Sequence, residues 1–197
     1  MRTYNTPPKG SSTVVDPIRK SEDITSIKKL LSDNPRDLLL FTLGINNGIR
    51  TGDLLQLKTR DVMDKKTGEA IQIRESKTGK TNWVFLNKES HRILKSYLGI
   101  AGLGNEDFLF QSRKGVNRPL TINYVNRLIK GWCKAINLQG NYGAHSLRKT
   151  FGYIQRTRYG VGFEILCKRF NHGSPHVTMR YLGISDSEVF EILQNEV

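Results

Sequence analysis

The stretch NHGSPHVTMRYLG, Asn171 to Gly183, holds two histidines, a Gly-Ser-Pro break and a tyrosine beside an arginine. How the chain passes through it decides the fold around Tyr181. As one unbroken helix it would carry His172 and Tyr181, nine positions and about 900° of rotation apart, on opposite faces. Gly173, Ser174 and Pro175 argue against that. Proline inside a helix removes a hydrogen bond and clashes with the preceding turn, but it suits the first turn of a new helix. Two short helices meeting at a corner let the two rings converge. His176, in the same segment, reads as a surface residue. Taken alone, Tyr181 would read as an ordinary core tyrosine.

Working outward, the C-terminal half is a series of helical patterns: TINYVNRLIKGWCKAINL, HSLRKTFGYIQRTRY and GFEILCKRF. The tail SDSEVFEILQNEV carries a capping box, Ser185 with Glu188, ahead of Val189, Phe190, Ile192 and Leu193. That predicts a last amphipathic helix over 185–197. Towards the N-terminus, EAIQIRE and TNWVFL read as two short strands around the Gly-containing turn SKTGK. KESHRILKSYLGI is helical and DFLFQS a brief extended element. Before the hairpin, Pro35 suits the start of a helix carrying RDLLLFTLGI, Gly48 suits its left-handed end, and a short helix restarts near Thr51. Ile24, Ile27, Leu30 and Leu31 mark a first helix, with Ser21 and Asp23 as its expected caps. Residues 1–20, rich in Pro, Gly, Ser and Thr, read as a flexible basic arm. The fold expected is α+β and mostly helical: one domain over 21–197 with a small antiparallel sheet near its first third.

Composition narrows the partners. The 197 residues include 31 Lys+Arg against 18 Asp+Glu, a net charge of +13. Such an excess predicts a polyanion, and double-stranded DNA is the first candidate. Cys133 and Cys167 lie in helical apolar patterns without CxxC spacing, so they read as small core residues in a reducing compartment, not as a disulfide or zinc site. No apolar run approaches a membrane span and no secretory signal opens the chain. The expected location is the cytoplasm, at the nucleoid.

Three further motifs carry chemistry. In AHSLRKT, His145 and Arg148 are three apart on a helix and share a face, an imidazole beside a guanidinium fork able to grip two phosphate oxygens. In GIRTGD, Arg50 stands at a turn between helices and Asp53 is placed to hold it. In ESKTGK, Lys77 sits at the hairpin tip, from which it can reach a groove. Each has a bland alternative: a solvated helix face, a capping arginine, a turn lysine. No carboxylate cluster suggests a metal.

In this order, Arg50, Lys77, His145-x-x-Arg148, His172 and Tyr181 resemble the active-site signature of the tyrosine recombinases, the phage integrase family. GIRTGDLLQL looks like that family's first arginine box and VTMRYLG like its tyrosine box, and the resemblance covers roughly residues 20–195. It implies that Arg50 and Arg148 clamp a scissile phosphate while Tyr181 attacks it to form a 3′-phosphotyrosyl link. It implies that Lys77 protonates the leaving 5′-oxygen, His145 assists proton transfer and His172 hydrogen-bonds the phosphate. No cofactor is implied, because the covalent link conserves the phosphodiester energy. The implied partners are double-stranded DNA and other copies of the chain in a synaptic tetramer, engaged through the C-terminal helix; the bland alternative is that this helix, with Val189, Phe190, Ile192 and Leu193, docks on its own domain. Three features depart from the family pattern. Phe170-Asn171 replaces the common Leu-Gly, Asp53 is shorter than the usual Glu, and residues 1–20 cannot form the customary N-terminal DNA-clamping domain. The chain is then a catalytic fragment or a compact member like the fimbrial phase-variation recombinases. Two other functions fit the same signature: nicking and closing of the type IB topoisomerase kind, and a DNA-binding regulator that has lost catalysis.

Overall fold

In the computed structural model, which describes residues 14–183 and Gln194, the chain forms nine helices and one hairpin among the described residues. The first helix, α1 (Ser21–Leu30), buries Ile27. Its N-cap is Lys20, and no side chain caps it, so Ser21 and Asp23 lie inside the helix and not at the expected cap. Next, α2 (Pro35–Asn47) starts as its sequence predicts. The Asn34 side chain accepts the Asp37 N–H, Pro35 opens the helix, and Gly48 ends it with φ 58°. Leu39, Leu40, Phe41 and Leu43 on α2 are fully buried and form the middle of the core.

Two one-turn helices follow, α3 (Thr51–Leu54) and α4 (Thr59–Val62). The strands β1 (Ala70–Arg74) and β2 (Thr81–Phe85) then pair antiparallel in the register Ala70↔Phe85 to Arg74↔Thr81. Alternation places Ile71 and Val84 on the core side, while Trp83 and Phe85 face outward. Then α5 (Lys88–Ala101), capped by Asn87, packs against α2. The segment around Phe108–Gln111 is held by two isolated bridges, Lys58↔Phe108 and Gln111↔Pro119. It leads into α6 (Ile122–Ala135), whose Trp132 ring meets Phe41 edge-on.

The remaining helices are α7 (Ala144–Thr157), α8 (Phe163–Phe170) and α9 (Pro175–Leu182). They carry a second, smaller cluster in which Leu166, Phe170 and Leu182 are buried, with Phe151 and Tyr181 packed on it. Cys133 is buried as expected, whereas Cys167 is only half-buried; both are free thiols.

The expected arm over 1–20 does not extend to residues 14–20. There Ile18 is fully buried and its N–H donates to Thr150 Oγ1 at 2.8 Å. The Asp16 N–H donates to the Asn141 carbonyl and the Asn141 side chain to the Val14 carbonyl. A Pro/Ser/Thr-rich composition reads as irregular, but irregular backbone becomes fixed where its polar groups find partners. The tail helix expected over 185–197 lies outside the described residues.

Candidate active site

The turn after α2 builds the first corner of the site. A Cβ on Gly48 would stand 2.4 Å from the Phe151 ring, so only glycine allows both the left-handed turn and the close approach of α7. Two residues later Arg50 occupies the N-cap position of α3, its side chain 19% exposed. Its guanidinium lies 2.5 Å from Glu75 Oε2 and 4.0 Å from Asp53 Oδ2. The principal acidic partner of Arg50 is therefore Glu75, and the expected Asp53 tether is secondary. Asp53 instead accepts the Ser76 N–H at 2.8 Å, pinning the base of the turn that carries Lys77. Lys77 itself is exposed on that turn.

Glu75 is buried. Its carboxylate accepts from Thr78 Oγ1 at 2.6 Å and from Asn82 Nδ2 at 2.8 Å. Burial pushes its pKa up, but hydrogen bonds from Thr78, Asn82, Arg50 and Asn171 outweigh that and bring it down to about 2. Behind it, Arg169 of α8 donates to Asn82 Oδ1 and to the Asn47 and Trp83 carbonyls. The end of α2, the hairpin and α8 are thus joined through one polar network.

The second corner is the start of α7. Thr51 Oγ1 donates to the Ala144 carbonyl at 2.9 Å and the Ala144 N–H donates to Asn126 Oδ1 at 2.7 Å, fixing that turn against α3 and α6. His145 is exposed there. Its pKa falls below the ordinary value, first through desolvation and then through the charges of Arg148, Arg50, Lys77 and Lys149. Arg148 is buried and donates to the Gly48 carbonyl at 2.7 Å and the Phe170 carbonyl at 2.6 Å, its guanidinium 4.6 Å from the Phe170 ring centroid. Burial lowers its pKa to about 10, with Arg50 and Arg169 adding to the effect, so the group stays charged at neutral pH.

The third corner is the break in the opening motif. Asn171 ends α8 in the left-handed conformation with φ 53°, a geometry asparagine tolerates better than most residues. The Ser174 side chain caps α9 and Pro175 opens it. His172 and Tyr181 come together with ring centroids 5.2 Å apart at 75°. His172 Nδ1 pairs with the fully buried Thr178 Oγ1 at 3.0 Å. Burial first, then Arg148 and Arg50, push the His172 pKa down to about 4. The Tyr181 oxygen is buried beside Arg148, the adjacent donor, but without a well-aligned hydrogen bond. Its pKa rises to about 12, because burial outweighs the neighbouring Arg148 and Arg50. Lys149 Nζ lies 5.2 Å from the centroid of the Tyr181 ring.

Arg50, Arg148, His172 and Tyr181 therefore lie within electrostatic reach of one another, with His145 exposed beside Arg148 and within the reach of Lys77. His176 is exposed and outside this group. Two guanidinium groups, neutral imidazoles and a phenol suit an anionic phosphodiester. Sequence reasoning passed over Glu75, Asn82, Arg169 and Lys149. A lone glutamate beside a polar turn looks solvated; only the docking of the hairpin on α3 and α8 buries it. Among the described residues no cluster of His, Cys, Asp or Glu could hold a metal ion, and no helix is long and apolar enough to cross a membrane.

The model of the phage integrase family matches residues 20–188. The chain is 34% identical over 176 residues to the probable integrase/recombinase YoeC of Bacillus subtilis, covering 88% of this chain and 92% of that one. The crystal structure of XerA recombinase superposes with a TM-score of 0.75 at 23% identity, over 92% of this chain and 67% of that one. The post-cleavage complex of XerH site-specific recombinase with palindromic difH gives 0.73 at 20% identity, over 93% and 53%. This chain thus spans nearly all of YoeC but only about half of XerH.

Proposed function

The chain belongs to the phage integrase family, and on that premise we propose that it is a site-specific DNA recombinase that cuts and rejoins strands through a 3′-phosphotyrosyl intermediate at Tyr181. The observation that carries this reading is the meeting of the Tyr181 phenol with Arg148, Arg50 and His172, brought from α9, α7, the start of α3 and the α8–α9 corner.

Arg50 and Arg148 neutralise the non-bridging oxygens of the scissile phosphate. Arg148 is held on two backbone carbonyls, so it does not have to reorganise as negative charge grows in the transition state; one such preorganised donor is worth about 2.7–4 kcal/mol. Tyr181 attacks phosphorus, its Oη–P bond forming as the P–O5′ bond breaks. Its pKa near 12 means the phenol enters the reaction protonated, so its proton must leave during attack. His145, uncharged at neutral pH and exposed beside Arg148, takes that role. His172 donates to the phosphate while Thr178 fixes its other nitrogen. Lys77 protonates the departing 5′-oxygen. Reverse attack by a 5′-hydroxyl from a partner duplex restores the phosphodiester and frees the tyrosine. The reaction calls for no metal or nucleotide.

The partner is double-stranded DNA. A second basic concavity supports it: Arg36, Arg113, Lys114, Arg118 and Arg127 line a cavity of about 390 Å³ with Tyr124. Arg36 stands near the start of α2, and roughly 17 Å of helix separates it from Asn47, after which the chain turns through Gly48 to Arg50, a span an extended polyanion covers easily. Exchange requires two duplexes, so the working unit on DNA is a synaptic tetramer, with the segment 185–197 reaching between copies. The place of work is the cytoplasm, at the nucleoid.

The test uses a pool of nicked duplexes with randomised cores, in which the short cleaved product diffuses away and traps the covalent complex. Wild-type protein is expected to form a denaturation-resistant adduct whose sequencing yields the target site, and Tyr181→Phe to form none while binding DNA as before. No adduct with wild type, or an adduct that persists in Tyr181→Phe, would overturn the assignment.

A further inference from the structure

Glu75 presents an electrostatic contradiction. A guanidinium meant to grip a phosphate gains nothing in affinity from a fully ionised carboxylate 2.5 Å away, because that carboxylate repels the same phosphate. Yet Glu75 is 1% exposed and fastened by Thr78 and Asn82, with Arg169 holding Asn82 from behind. It also lies two residues before Lys77, and the intervening Ser76 N–H is held by Asp53. The carboxylate therefore touches Arg50 on one side and anchors the turn bearing Lys77 on the other.

We infer that Glu75 is a positioning residue: it aims Arg50 at the scissile phosphate and ties Arg50 to the Lys77 turn, so that the charge clamp and the proton donor are held in one register. This rests on the recombinase reading above. Orientation and affinity then pull in opposite directions. Removing the negative charge should leave DNA binding as tight or tighter and slow the cleavage step. A merely structural role would weaken both, and a merely electrostatic one would strengthen both.

The experiment takes the trapped site from the adduct pool and measures DNA affinity and single-turnover cleavage at saturating DNA for wild type, Glu75→Gln, Arg50→Ala and the double variant. A melting curve accompanies each. A misplacement on the order of 1 Å costs about 100-fold in rate, so Glu75→Gln is expected to cleave about 100-fold more slowly with unchanged or tighter binding. The double variant should be less than about tenfold slower than Arg50→Ala, since most of the carboxylate's effect passes through that arginine and only the remainder through the Lys77 turn. On a duplex whose scissile phosphate is a neutral methylphosphonate, the cost of Glu75→Gln should shrink at least tenfold, because little charge is left for Arg50 to meet. If Glu75→Gln does not fold, Glu75→Asp carries the same measurements, with a smaller rate loss and binding kept. Cleavage at the wild-type rate, a cost undiminished on the methylphosphonate, or parallel loss of binding and rate in the folded variant would each overturn the inference while wild type still forms its adduct. Absence of any Tyr181-dependent adduct in wild type would instead remove the recombinase reading and this inference with it.

Discussion

The hydroxyl of Tyr181 is the one part of its side chain that the folded protein does not satisfy. The ring is well placed, edge-on to Phe170 at 5.7 Å and to His172 at 5.2 Å, with the Lys149 ammonium on its face. The oxygen, by contrast, is buried with only a poorly aligned approach to Arg148. A buried polar group left unpaired costs about 1–3 kcal/mol, more than the ~0.5–1.5 kcal/mol a satisfied one returns. Tyr181→Phe removes only that oxygen and keeps the ring contacts. It is expected to stabilise the DNA-free protein by about 1 kcal/mol, read as a higher melting temperature, even though it abolishes cleavage. A nucleophile held ready for a substrate that is not yet there carries such strain, and activity and stability then trade off at a single atom. A less stable phenylalanine variant would mean that the hydroxyl is paired in the free protein, with Arg148 the nearest donor. The high pKa of the phenol follows from the same burial.

One scale up, α9 owes its place to a glycine on another helix. A Cβ on Gly152 of α7 would meet Leu182 Cδ2 at 2.6 Å and the Phe170 ring at 2.7 Å. Helix propensity alone says Gly152→Ala gains about 1 kcal/mol. Overpacking a tight contact costs about 1–3 kcal/mol, and here both neighbours belong to the small cluster that holds the tyrosine helix. The packing effect is expected to win. The variant should lose about 1–2 kcal/mol in a denaturant titration and cleave more slowly, because Tyr181 adjoins the displaced Leu182, while DNA affinity holds. A gain in stability would show that α9 can shift at no cost. Contacts of this kind mark the limit of what the chain shows as a sequence. Local signals were legible: Pro35 and Gly48 bracketing α2, the alternation of the hairpin, and the Gly-Ser-Pro corner that brings His172 to Tyr181. Arg50, Lys77, His145 and His172 also stand where the sequence punctuates the chain, at a helix start, a turn or the α8–α9 corner, whereas Arg148 and Tyr181 lie within α7 and α9. What stayed hidden depends on long-range contact. Glu75 is buried only because the hairpin folds onto α3 and α8. Residues 14–20 are fixed by Thr150 and Asn141, more than a hundred positions away. The start of α1 at Ser21 follows from no side-chain cap at all.

At the scale of the whole molecule, the decisive quantity is the excess of +13 and how it is spread. The reactive pocket uses few of those charges, and several are internally engaged: Arg50 with Glu75, Arg148 with carbonyls, Arg169 with the hairpin. The exposed cations Arg113, Lys114, Arg118 and Arg127 lie at the second concavity, where Arg127 also stacks 5.6 Å from the Tyr124 ring centroid. Affinity and chemistry should therefore separate. Each lysine or arginine that neutralises a phosphate releases a counterion, and the slope of log affinity against log salt falls by about 0.9 for each contact removed. Replacing Arg118 and Arg127 together by alanine is expected to reduce that slope by about 2, uniformly across unrelated duplexes, because phosphate contacts carry no base sequence. Fluorescence anisotropy titrations from low to moderate salt measure it directly. Cleavage at saturating DNA should stay within a few-fold of wild type, since neither arginine belongs to the Arg50–Arg148–Tyr181 group. An unchanged slope would place the duplex on another face of the molecule, and a collapse of cleavage at saturation would mean that the second concavity sets the geometry of the reaction and not only its affinity.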